Sequence, residues 1–378
     1  MKYIRAIASL FLKRLLPNKV VLLIGPRRVG KTIFIKSFME GIPKEKYLVL
    51  NGDDVLDASL LKERSVANYK RLLDGKEYLI IDEAQHIPDI GMILKLIVDS
   101  IEGIKVVASG SSAFDLYHQV GEPLVGRKST LHLYPLAQME FKEVEDFRMT
   151  VASREERLIF GGYPELVQYT DWRDKASYLN EVMNDYLLKD ILIYDGLRNS
   201  DKLFSLLKLL AFQVGKEVSL EELGRQLAMS KNTVEKYLEL LSKVFVIYKI
   251  GGYSKNLRKE VSKSSRWYFY DNGIRNAIIQ NFNRLDMRTD VGELWENYLA
   301  SERLKYQSYH QLNCKNYFWR TYDQQELDWV EEDAGKLLGY EFKYKLHKKI
   351  KPPAAWAKAY PEAQFVVIHQ DNYLDWIV

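Results

Sequence analysis

The sequence predicts an α/β protein whose first part is a parallel β-sheet with helices on both faces. Within residues 19–134, five short apolar runs alternate with stretches of helical periodicity. The runs are rich in β-branched residues, which is typical of strands buried on both faces. Strand–helix alternation favours parallel pairing, because parallel neighbours need long crossover connections. The runs are VVLLI (20–24), YLVLN (47–51), YLIID (78–82), KVVASG (105–110) and TLHLY (130–134).

Composition narrows the class of protein. The chain has 378 residues, enough for two or three domains, and its 47% hydrophobic and 28% charged residues are typical of globular proteins. The net charge of +4 permits nucleic-acid binding without arguing for it. Cys314 is the one cysteine, which excludes a disulfide framework and a cysteine-rich zinc site and fits a reducing, cytoplasmic location. No segment carries the roughly eighteen uninterrupted apolar residues of a membrane helix, so we expect no membrane partner.

Residues 1–19, MKYIRAIASLFLKRLLPNK, combine basic and apolar side chains. Arg5, Lys13 and Arg14 break the apolar run into helical periodicity, and no small-residue cleavage site follows. We therefore expect an amphipathic helix that leads into the first strand rather than a signal peptide.

The balance between short apolar runs and helical periodicity changes three times along the chain. We expect an α/β core over residues 1–145, a helical, lid-like region over 146–215, a third domain over 216–270 and a mixed α/β domain over 271–378. The chain has no internal repeat, low-complexity tract or long linker, so the domains are expected to pack tightly.

The loop after the first apolar run, GPRRVGKT (25–32), matches the pattern GxxxxGK[ST] in full and opens a helix. Its glycines let backbone N–H groups curl around phosphates, and the helix N-terminus adds partial positive charge. Lys31 is expected to reach the β- and γ-phosphates of ATP, and the Thr32 hydroxyl to ligate Mg²⁺. The sequence thus predicts a P-loop NTPase sheet with ATP and Mg²⁺ as cofactors. The predicted nucleotide-binding residues are Gly25, Pro26, Arg27, Arg28, Val29, Gly30, Lys31, Thr32 and Ile33.

Two later strands are predicted to complete this site. YLIIDEAQ (78–85) contains Asp82, which would hold the Mg²⁺ shell, and Glu83, which would polarise the attacking water. A further strand ends in the hydroxyl residues Ser109, Ser111 and Ser112, any of which can position water near the γ-phosphate. The sequence does not decide between these serines.

Arg127 lies just before the fifth run. It is a candidate arginine finger, which stabilises transition-state charge and would act either within its own chain or, if the protein is a homo-oligomer, from a neighbouring subunit. The alternative is a solvated arginine beside Lys128, and the sequence leaves both open.

Residues 216–270 are predicted to form a winged helix-turn-helix. Ser219 and Glu222 form a capping box that opens one helix, and residues 231–243 form a second. The strand FVIYKI (245–250) follows, and a later strand can return beside it as a hairpin. The predicted apolar face of the second helix comprises Val234, Tyr237, Leu238 and Leu241.

The loop between those strands is basic, which suits contact with DNA phosphates. Lys231 and Lys236 on the second helix add positive charge. DNA is therefore a predicted partner, and the alternative is a helical domain that contacts protein. The basic residues of the loop are Lys255, Arg258, Lys259, Lys263 and Arg266.

The last domain combines a helix, a hairpin and a further strand, each with a carboxylate. Glu296 lies in the predicted helix and Asp328 on the second hairpin strand, while Glu341 and Lys343 share one face of the next strand. These parts resemble a restriction-endonuclease-like, PD-(D/E)xK core. Asp328 and Glu341 would bind Mg²⁺ with help from Glu296, and Lys343 would orient the attacking water. The segment KLHKKIK (345–351) is consistent with a phosphate backbone passing nearby.

The ordered set GPRRVGKT, DEAQ, GSSA, GR followed by YPL, and GGYPELV (161–167) resembles the AAA-type ATPases of archaea and bacteria. In that family a winged helix and a domain related to restriction endonucleases follow the ATPase core, and the resemblance covers nearly the whole chain. It implies ATP binding and hydrolysis and a nuclease-like C-terminal domain. GGYPELV carries no obvious chemistry and is predicted to be a structural turn between helices.

The function predicted from the sequence is an ATP-gated protein that acts on DNA by binding, remodelling or cutting it. A second hypothesis is an ATP-dependent switch whose winged helix and degenerate nuclease-like domain only dock DNA or protein. A third is a chaperone-like or antitoxin-like signalling ATPase with no nucleic-acid role.

Overall fold

The structure, a computed structural model, describes residues 3–111, 123–184, 200–254 and 265–378. The chain forms two compact units. Unit 1 is Met1–Tyr134 with Lys243–Phe245, and unit 2 is Pro135–Ser242 with Val246–Val378. The sequence, in contrast, predicts four segments. In the described part of the chain, no helix is both long enough and apolar enough to cross a membrane.

Unit 1 contains a five-stranded sheet in which every neighbouring pair is parallel, as predicted. The strands are β1 (Lys19–Ile24), β2 (Tyr47–Asn51), β3 (Tyr78–Asp82), β4 (Lys105–Gly110) and β5 (Lys128–His132). Their order is β2-β3-β4-β1-β5, so β1 is an interior strand. The helices before residue 105 are α1 (Ala8–Arg14), α2 (Lys31–Met39), α3 (Val55–Lys62), α4 (Val66–Leu72) and α5 (Ile90–Ser100).

The two edge strands differ from the prediction that all five strands are buried on both faces. Leu50 is the one buried residue of β2 and Leu131 that of β5, whereas β1, β3 and β4 are buried along most of their length. An edge strand has a single neighbour and less cover, and an apolar run does not reveal that position. β5 also begins before its apolar run, because Lys128 pairs with Val20 of β1.

The predicted N-terminal helix is present as α1. It buries Leu10 and Phe11, and the Phe11 ring meets that of Phe34 in α2 edge-on, with the ring centroids 5.1 Å apart. Leu12, in contrast, is 58% exposed, so the helix covers the unit with one side only.

Unit 2 contains a seven-stranded sheet. Its strands are β6 (Glu217–Val218), β7 (Ile247–Gly252), β8 (Ser265–Phe269), β9 (Lys315–Arg320), β10 (Glu326–Asp333), β11 (Lys336–Phe342) and β12 (Gln364–Ile368), ordered β12-β11-β10-β9-β7-β8-β6. The antiparallel pair β7–β8 joins β9 in parallel through Gly251 and Gly252. One sheet therefore runs across residue 270, where the sequence predicts a domain boundary. A strand pattern carries no information about which distant strand will pair with it.

Two of the helices that follow residue 134 carry features that the sequence predicts. Ser219 accepts a hydrogen bond from the Glu222 amide at 3.3 Å at the start of α9 (Leu220–Leu227), which is one half of the predicted capping box. The predicted apolar face of α10 (Lys231–Lys243) is buried at all four positions. The helices that follow residue 134 are α6 (Phe147–Phe160), α7 (Trp172–Val182), α8 (Ser200–Phe212), α9 (Leu220–Leu227), α10 (Lys231–Lys243), α11 (Asn272–Ile278), α12 (Val291–Tyr309), α13 (Ala354–Ala359) and α14 (Leu374–Ile377).

The GGYPELV segment forms the turn between α6 and α7. Gly161 ends α6 with a φ of 74°, and a side chain there would collide with the buried carboxylate of Asp271. The Gly162 amide donates to the same carboxylate at 2.8 Å. The close approach of Asp271 explains the first glycine, and the segment is a structural turn, as predicted.

A buried ion cluster lies at the end of the segment between α11 and α12. Asp290 accepts hydrogen bonds from Nε and Nη2 of Arg288, both at 2.8 Å, and pairs with Arg275. The arginine side chains are almost fully buried, with 0% and 2% exposure. Burial opposes ionisation of Asp290, but the hydrogen bonds from Arg288 and the charge of Arg275 lower its pKa to about 2.

Replacing Asp290 by Asn should lower the free energy of unfolding of unit 2 by about 3–5 kcal/mol, because it leaves two buried guanidinium groups without a carboxylate. All seven tryptophans follow residue 134, so the urea midpoint of tryptophan fluorescence reports on this unit. In the parent protein the contribution of Asp290 is full above its ordinary pKa of 3.8 and is lost as the pH falls through about 2. Asp286→Asn changes an exposed carboxylate and is the control. Equal midpoints for the two variants would contradict this role of Asp290.

Candidate functional site

The loop between β1 and α2 is wrapped around the Lys31 side chain. Lys31 is 5% exposed, and its Nζ donates to the carbonyl oxygens of Gly25 and Pro26, both at 2.9 Å. Gly30 precedes α2 with a φ of 91°, a left-handed conformation that glycine adopts without strain. The predicted cradle, residues 25–33, thus places an ammonium group beside the first amides of a helix, where anions bind favourably.

Arg5 anchors this loop, a role that the sequence does not reveal. Its Nη1 donates to the Val29 carbonyl at 2.7 Å and its Nη2 to the Tyr134 carbonyl at 2.6 Å. Gly25 is pressed against Leu133, whose carbonyl oxygen a side chain at position 25 would strike. No motif marks Arg5, because its partners are backbone carbonyls that any residue can supply.

Thr32 and Asp82 meet beside the loop. The Thr32 hydroxyl donates to Oδ2 of Asp82 at 2.7 Å, and the Ser109 hydroxyl donates to Oδ1 of the same carboxylate. The strands β3, β4 and β1 are consecutive and parallel, so their carboxyl ends bring these residues to one edge of the sheet. Hydroxyl and carboxylate oxygens are the hard ligands that Mg²⁺ prefers, so the residues present fit this ion.

Glu83 is held beside Asp82 by its neighbours. It has a left-handed φ of 48°, and its carboxylate accepts a hydrogen bond from Nε2 of Gln85 at 2.6 Å. Gln85 also donates to the Ser111 hydroxyl at 3.3 Å. Non-glycine residues in this backbone conformation are concentrated at functional sites. Ser112, the third predicted serine, lies outside the described residues.

Arg127 does not lie near this edge of the sheet. Its carbonyl accepts a hydrogen bond from the Val20 amide at the start of β1, which is roughly 16 Å of strand away from Gly25. Its side chain pairs with Asp99, with Nε and Oδ1 2.5 Å apart. Because Arg127 lies at the amino end of the strands, it cannot act within its own chain's site. A role toward a neighbouring subunit stays a prediction.

The predicted carboxylates of unit 2 surround an arginine. Arg266 of β8 is 3% exposed, and its Nη1 lies 3.6 Å from Glu296 and 3.7 Å from Asp328. Its Nη2 pairs with Glu326 at 2.7 Å, and its guanidinium lies over the Phe318 ring, 4.7 Å from the centroid. The predicted place of Arg266 in a DNA-contacting loop is wrong, because the side chain is buried and paired with carboxylates.

Glu341 and Lys343 lie beside these carboxylates. Continuing the β10–β11 register by one residue places Asp328 opposite Glu341, and the Phe342 amide donates to Oδ2 of Asp328 at 2.8 Å. The Lys343 ammonium donates to Glu341 at 2.6 Å. Burial and the nearby charge of Asp328 raise the pKa of both Glu296 and Glu341 above the ordinary glutamate range.

The structure does not support the predicted Mg²⁺ site at Glu296, Asp328 and Glu341. Within the described residues, no three His, Cys, Asp or Glu side chains are arranged to hold a metal ion. The physical reason is that the guanidinium of Arg266 supplies positive charge next to Glu296 and Asp328. Folding brings the predicted residues together, but around a cation that the chain itself provides.

The predicted DNA-binding surface is described only in part. Lys255, Arg258, Lys259 and Lys263 lie outside the described residues. On α10, Lys231 and Lys236 are exposed, and Lys231 pairs with Glu221 at 2.7 Å. A second basic surface follows β11, with four exposed lysines and no intervening acidic residue; we call it the lysine segment. Its lysines are Lys345, Lys348, Lys349 and Lys351.

Comparison with protein families gives the class of the first part of the chain. Residues 17–142 match the family model described as an AAA domain. Residues 152–285 and 291–376 match two domains of unknown function, DUF8612 and DUF4143. An AAA-type domain in the first part of the chain is thus confirmed, while ATP hydrolysis, the winged helix and the nuclease-like domain stay predictions.

Several relatives match most of the chain. An uncharacterized protein of Mycobacterium tuberculosis is 27% identical over 86% of this chain and 70% of its own length. An uncharacterized protein of Haemophilus influenzae is 25% identical over 83% of this chain and 80% of its own. An uncharacterized protein of Methanocaldococcus jannaschii is 23% identical over 76% of this chain and 67% of its own.

Two solved structures match parts of the chain weakly. The Pif1 helicase of Candida albicans has a TM-score of 0.27 and 17% identity over 48% of each chain. AMPPCP-bound DnaA from Aquifex aeolicus has a TM-score of 0.25 and 15% identity over 62% of this chain and 85% of its own.

Proposed function

We propose that this protein is a Mg²⁺-dependent ATPase that binds DNA. One observation carries the ATPase proposal: the 2.7 Å hydrogen bond between Thr32 and Asp82 beside the loop that holds Lys31. It joins the two side chains that share the metal in P-loop sites. The two come from segments 50 residues apart, and only the fold brings them together.

Each residue of the proposed site has a task that follows from its position. Lys31, held by two carbonyl oxygens, exchanges them for phosphate oxygens when ATP binds, so its donors stay satisfied. Thr32 and Asp82 hold Mg²⁺, which when bound neutralises charge on the β- and γ-phosphates. Glu83, oriented by Gln85, accepts the proton of the attacking water.

Phosphate release by the purified protein tests the ATPase proposal. Turnover should require both ATP and Mg²⁺ and should disappear in EDTA, because hydroxyl and carboxylate groups cannot offset phosphate charge without a metal. Tight ATP binding without turnover would reduce the proposal to a nucleotide switch. Absence of both binding and turnover would reject it.

The DNA-binding part of the proposal rests on local architecture and charge. The helices α9 and α10 and the β7–β8 pair follow one another in the order of a winged helix-turn-helix. The lysine segment presents four exposed ammonium groups that can contact phosphates. We do not propose DNA cleavage, because Arg266 lies among the carboxylates that would hold the metal.

Replacing the four lysines of the lysine segment by Ala should weaken duplex-DNA binding and flatten its salt dependence. Each phosphate contact that is lost reduces the steepness of the plot of log affinity against log salt by about 0.9. The slope of the quadruple variant should therefore be less steep by up to about 3.6. Filter binding across a salt series measures both the affinity and the slope.

A charge-matched control removes four exposed lysines from unit 1 and should change neither quantity. These lysines are Lys36, Lys44, Lys62 and Lys70. If both quadruple variants weaken binding equally, the attraction depends on net charge, and the lysine segment is not a binding surface.

A second candidate function is an ATP-dependent switch that docks a protein partner. The exposed side of α10 carries Glu235 and Glu239 as well as Lys231 and Lys236, so it is not uniformly basic. Failure to bind duplex DNA at low salt, where phosphate contacts are strongest, would favour this candidate.

A further inference from the structure

The carboxylates around Arg266 are built into unit 2 from two separate elements. Glu296 comes from α12, and Glu326 and Asp328 come from β10. All three carboxylates lie within 3.7 Å of the Arg266 guanidinium. We call Arg266 and these three carboxylates the Arg266 cluster. The proposed ATPase and DNA-binding functions make no use of this arrangement.

Arg266 is fixed in place rather than resting on a surface. Its backbone pairs with Ile250 on one side and Glu217 on the other, so β8 is an interior strand at this point. Its guanidinium covers the Phe318 ring, which favours a cation and restricts the side chain. Its Nε makes no hydrogen bond within the described residues, so the paired nitrogens Nη1 and Nη2 carry the interaction with carboxylates.

The walls around Glu296 leave little room for another ligand. The Tyr268 hydroxyl donates to Oε1 of Glu296 at 2.8 Å. A side chain at Gly215, whose φ is 75°, would collide with the same carboxylate, so backbone closes it from another direction. A Mg²⁺ ion would need near-octahedral oxygen ligands, several of them water, in the space that the guanidinium fills.

Charge reinforces the steric argument. Arg266 is always protonated, and its planar guanidinium offers five donors that match carboxylate oxygens. A divalent cation in the same cluster would lie within a few ångströms of it, and like charges at that distance repel strongly where water is excluded. The guanidinium and the metal ion therefore exclude each other.

We infer that Arg266 takes the place of a divalent metal ion among Glu296, Glu326 and Asp328, so that this domain binds no metal there and cleaves no nucleic acid. The inference goes beyond the proposed function. It concerns metal binding by unit 2, and its primary measurement, the count of bound Mn²⁺, needs neither nucleotide nor DNA. Its failure is therefore distinguishable from failure of the ATPase or DNA-binding proposals.

Mn²⁺ binding to the full-length, nucleotide-free chain, counted by electron paramagnetic resonance, tests the inference. Arg266→Ala should bind one more Mn²⁺ per chain than the parent protein, because it leaves the carboxylates without a cation. Arg266→Lys keeps the positive charge and should bind no extra ion. Any Mn²⁺ at Thr32 and Asp82 is common to all three proteins and cancels in the comparison.

A folded Arg266→Ala variant that gains no Mn²⁺ would overturn the inference. If that variant does not fold, a comparison of the parent protein with Asp328→Asn decides. Equal Mn²⁺ counts, and no nicking of plasmid by either protein in Mn²⁺ or Mg²⁺, support the inference. A Mn²⁺ ion or a nicking activity that the parent has and Asp328→Asn lacks contradicts it.

Discussion

A Lys31→Ala variant should lose ATP turnover by at least about 100-fold, because a preorganised cation at a transferring phosphoryl group contributes on that order. Lys31 lies at the first position of α2 and is 5% exposed, so no neighbouring lysine can take its place without rebuilding the loop. Its two carbonyl partners belong to the loop itself, whereas the core of unit 1 is formed by the apolar strands β1, β3 and β4. The fold should therefore survive, and phosphate release at saturating ATP, with circular dichroism as a check on folding, measures the effect.

Lys36→Ala is the matched control for this variant. Lys36 lies on the same helix, carries the same charge and is exposed. Its removal should leave turnover at the parental level. Comparable turnover in Lys31→Ala and Lys36→Ala would mean that the loop between β1 and α2 is not the site of phosphoryl transfer.

A Glu83→Gln variant should separate hydrolysis from binding. The substitution removes the proposed general base but keeps the size of the side chain, so the turnover number should fall by about 10²–10⁴. ATP affinity should change little, because the phosphates are held by Lys31 and the loop amides and not by Glu83. A fluorescent ATP analogue measures the affinity, and single-turnover phosphate release measures the chemical step.

Glu77→Gln provides the comparison for this second variant. Glu77 immediately precedes β3, whereas Glu83 immediately follows it, so the two glutamates lie at opposite ends of one strand. We expect parental turnover in Glu77→Gln. A Glu83→Gln protein that turns over as fast as Glu77→Gln would show that another group accepts the proton.

Local patterns predicted the parts of the protein that depend on local physics. The five strands of unit 1 were marked by apolar runs, and their parallel pairing followed from the helices between them. The meeting of Thr32 with Asp82 was also predictable, because β3 ends at Asp82 and the loop after the parallel strand β1 leads into α2, which carries Thr32. In each case a rule of geometry converts a short stretch of sequence into a position in space.

The rest depended on long-range partners that no local pattern encodes. Arg5 holds the Val29 carbonyl through a contact between residues 24 positions apart, and nothing in either segment announces it. Arg266 has the composition of a basic loop residue, yet strand pairing of β8 buries it beside carboxylates. The sign of a charge was visible in the sequence, whereas its burial and its partners were decided by the tertiary fold.

The parallel pairing of β7 with β9 has a consequence for dissecting the protein. A fragment that begins at residue 271 would leave β9 with one unpaired edge, and such an edge is a template for aggregation. The same fragment would lack Arg266, so Glu296 and Asp328 would lose their buried counter-charge. A fragment that begins at residue 135 retains both β7 and Arg266. We therefore expect the fragment from residue 135, and not the one from residue 271, to remain soluble.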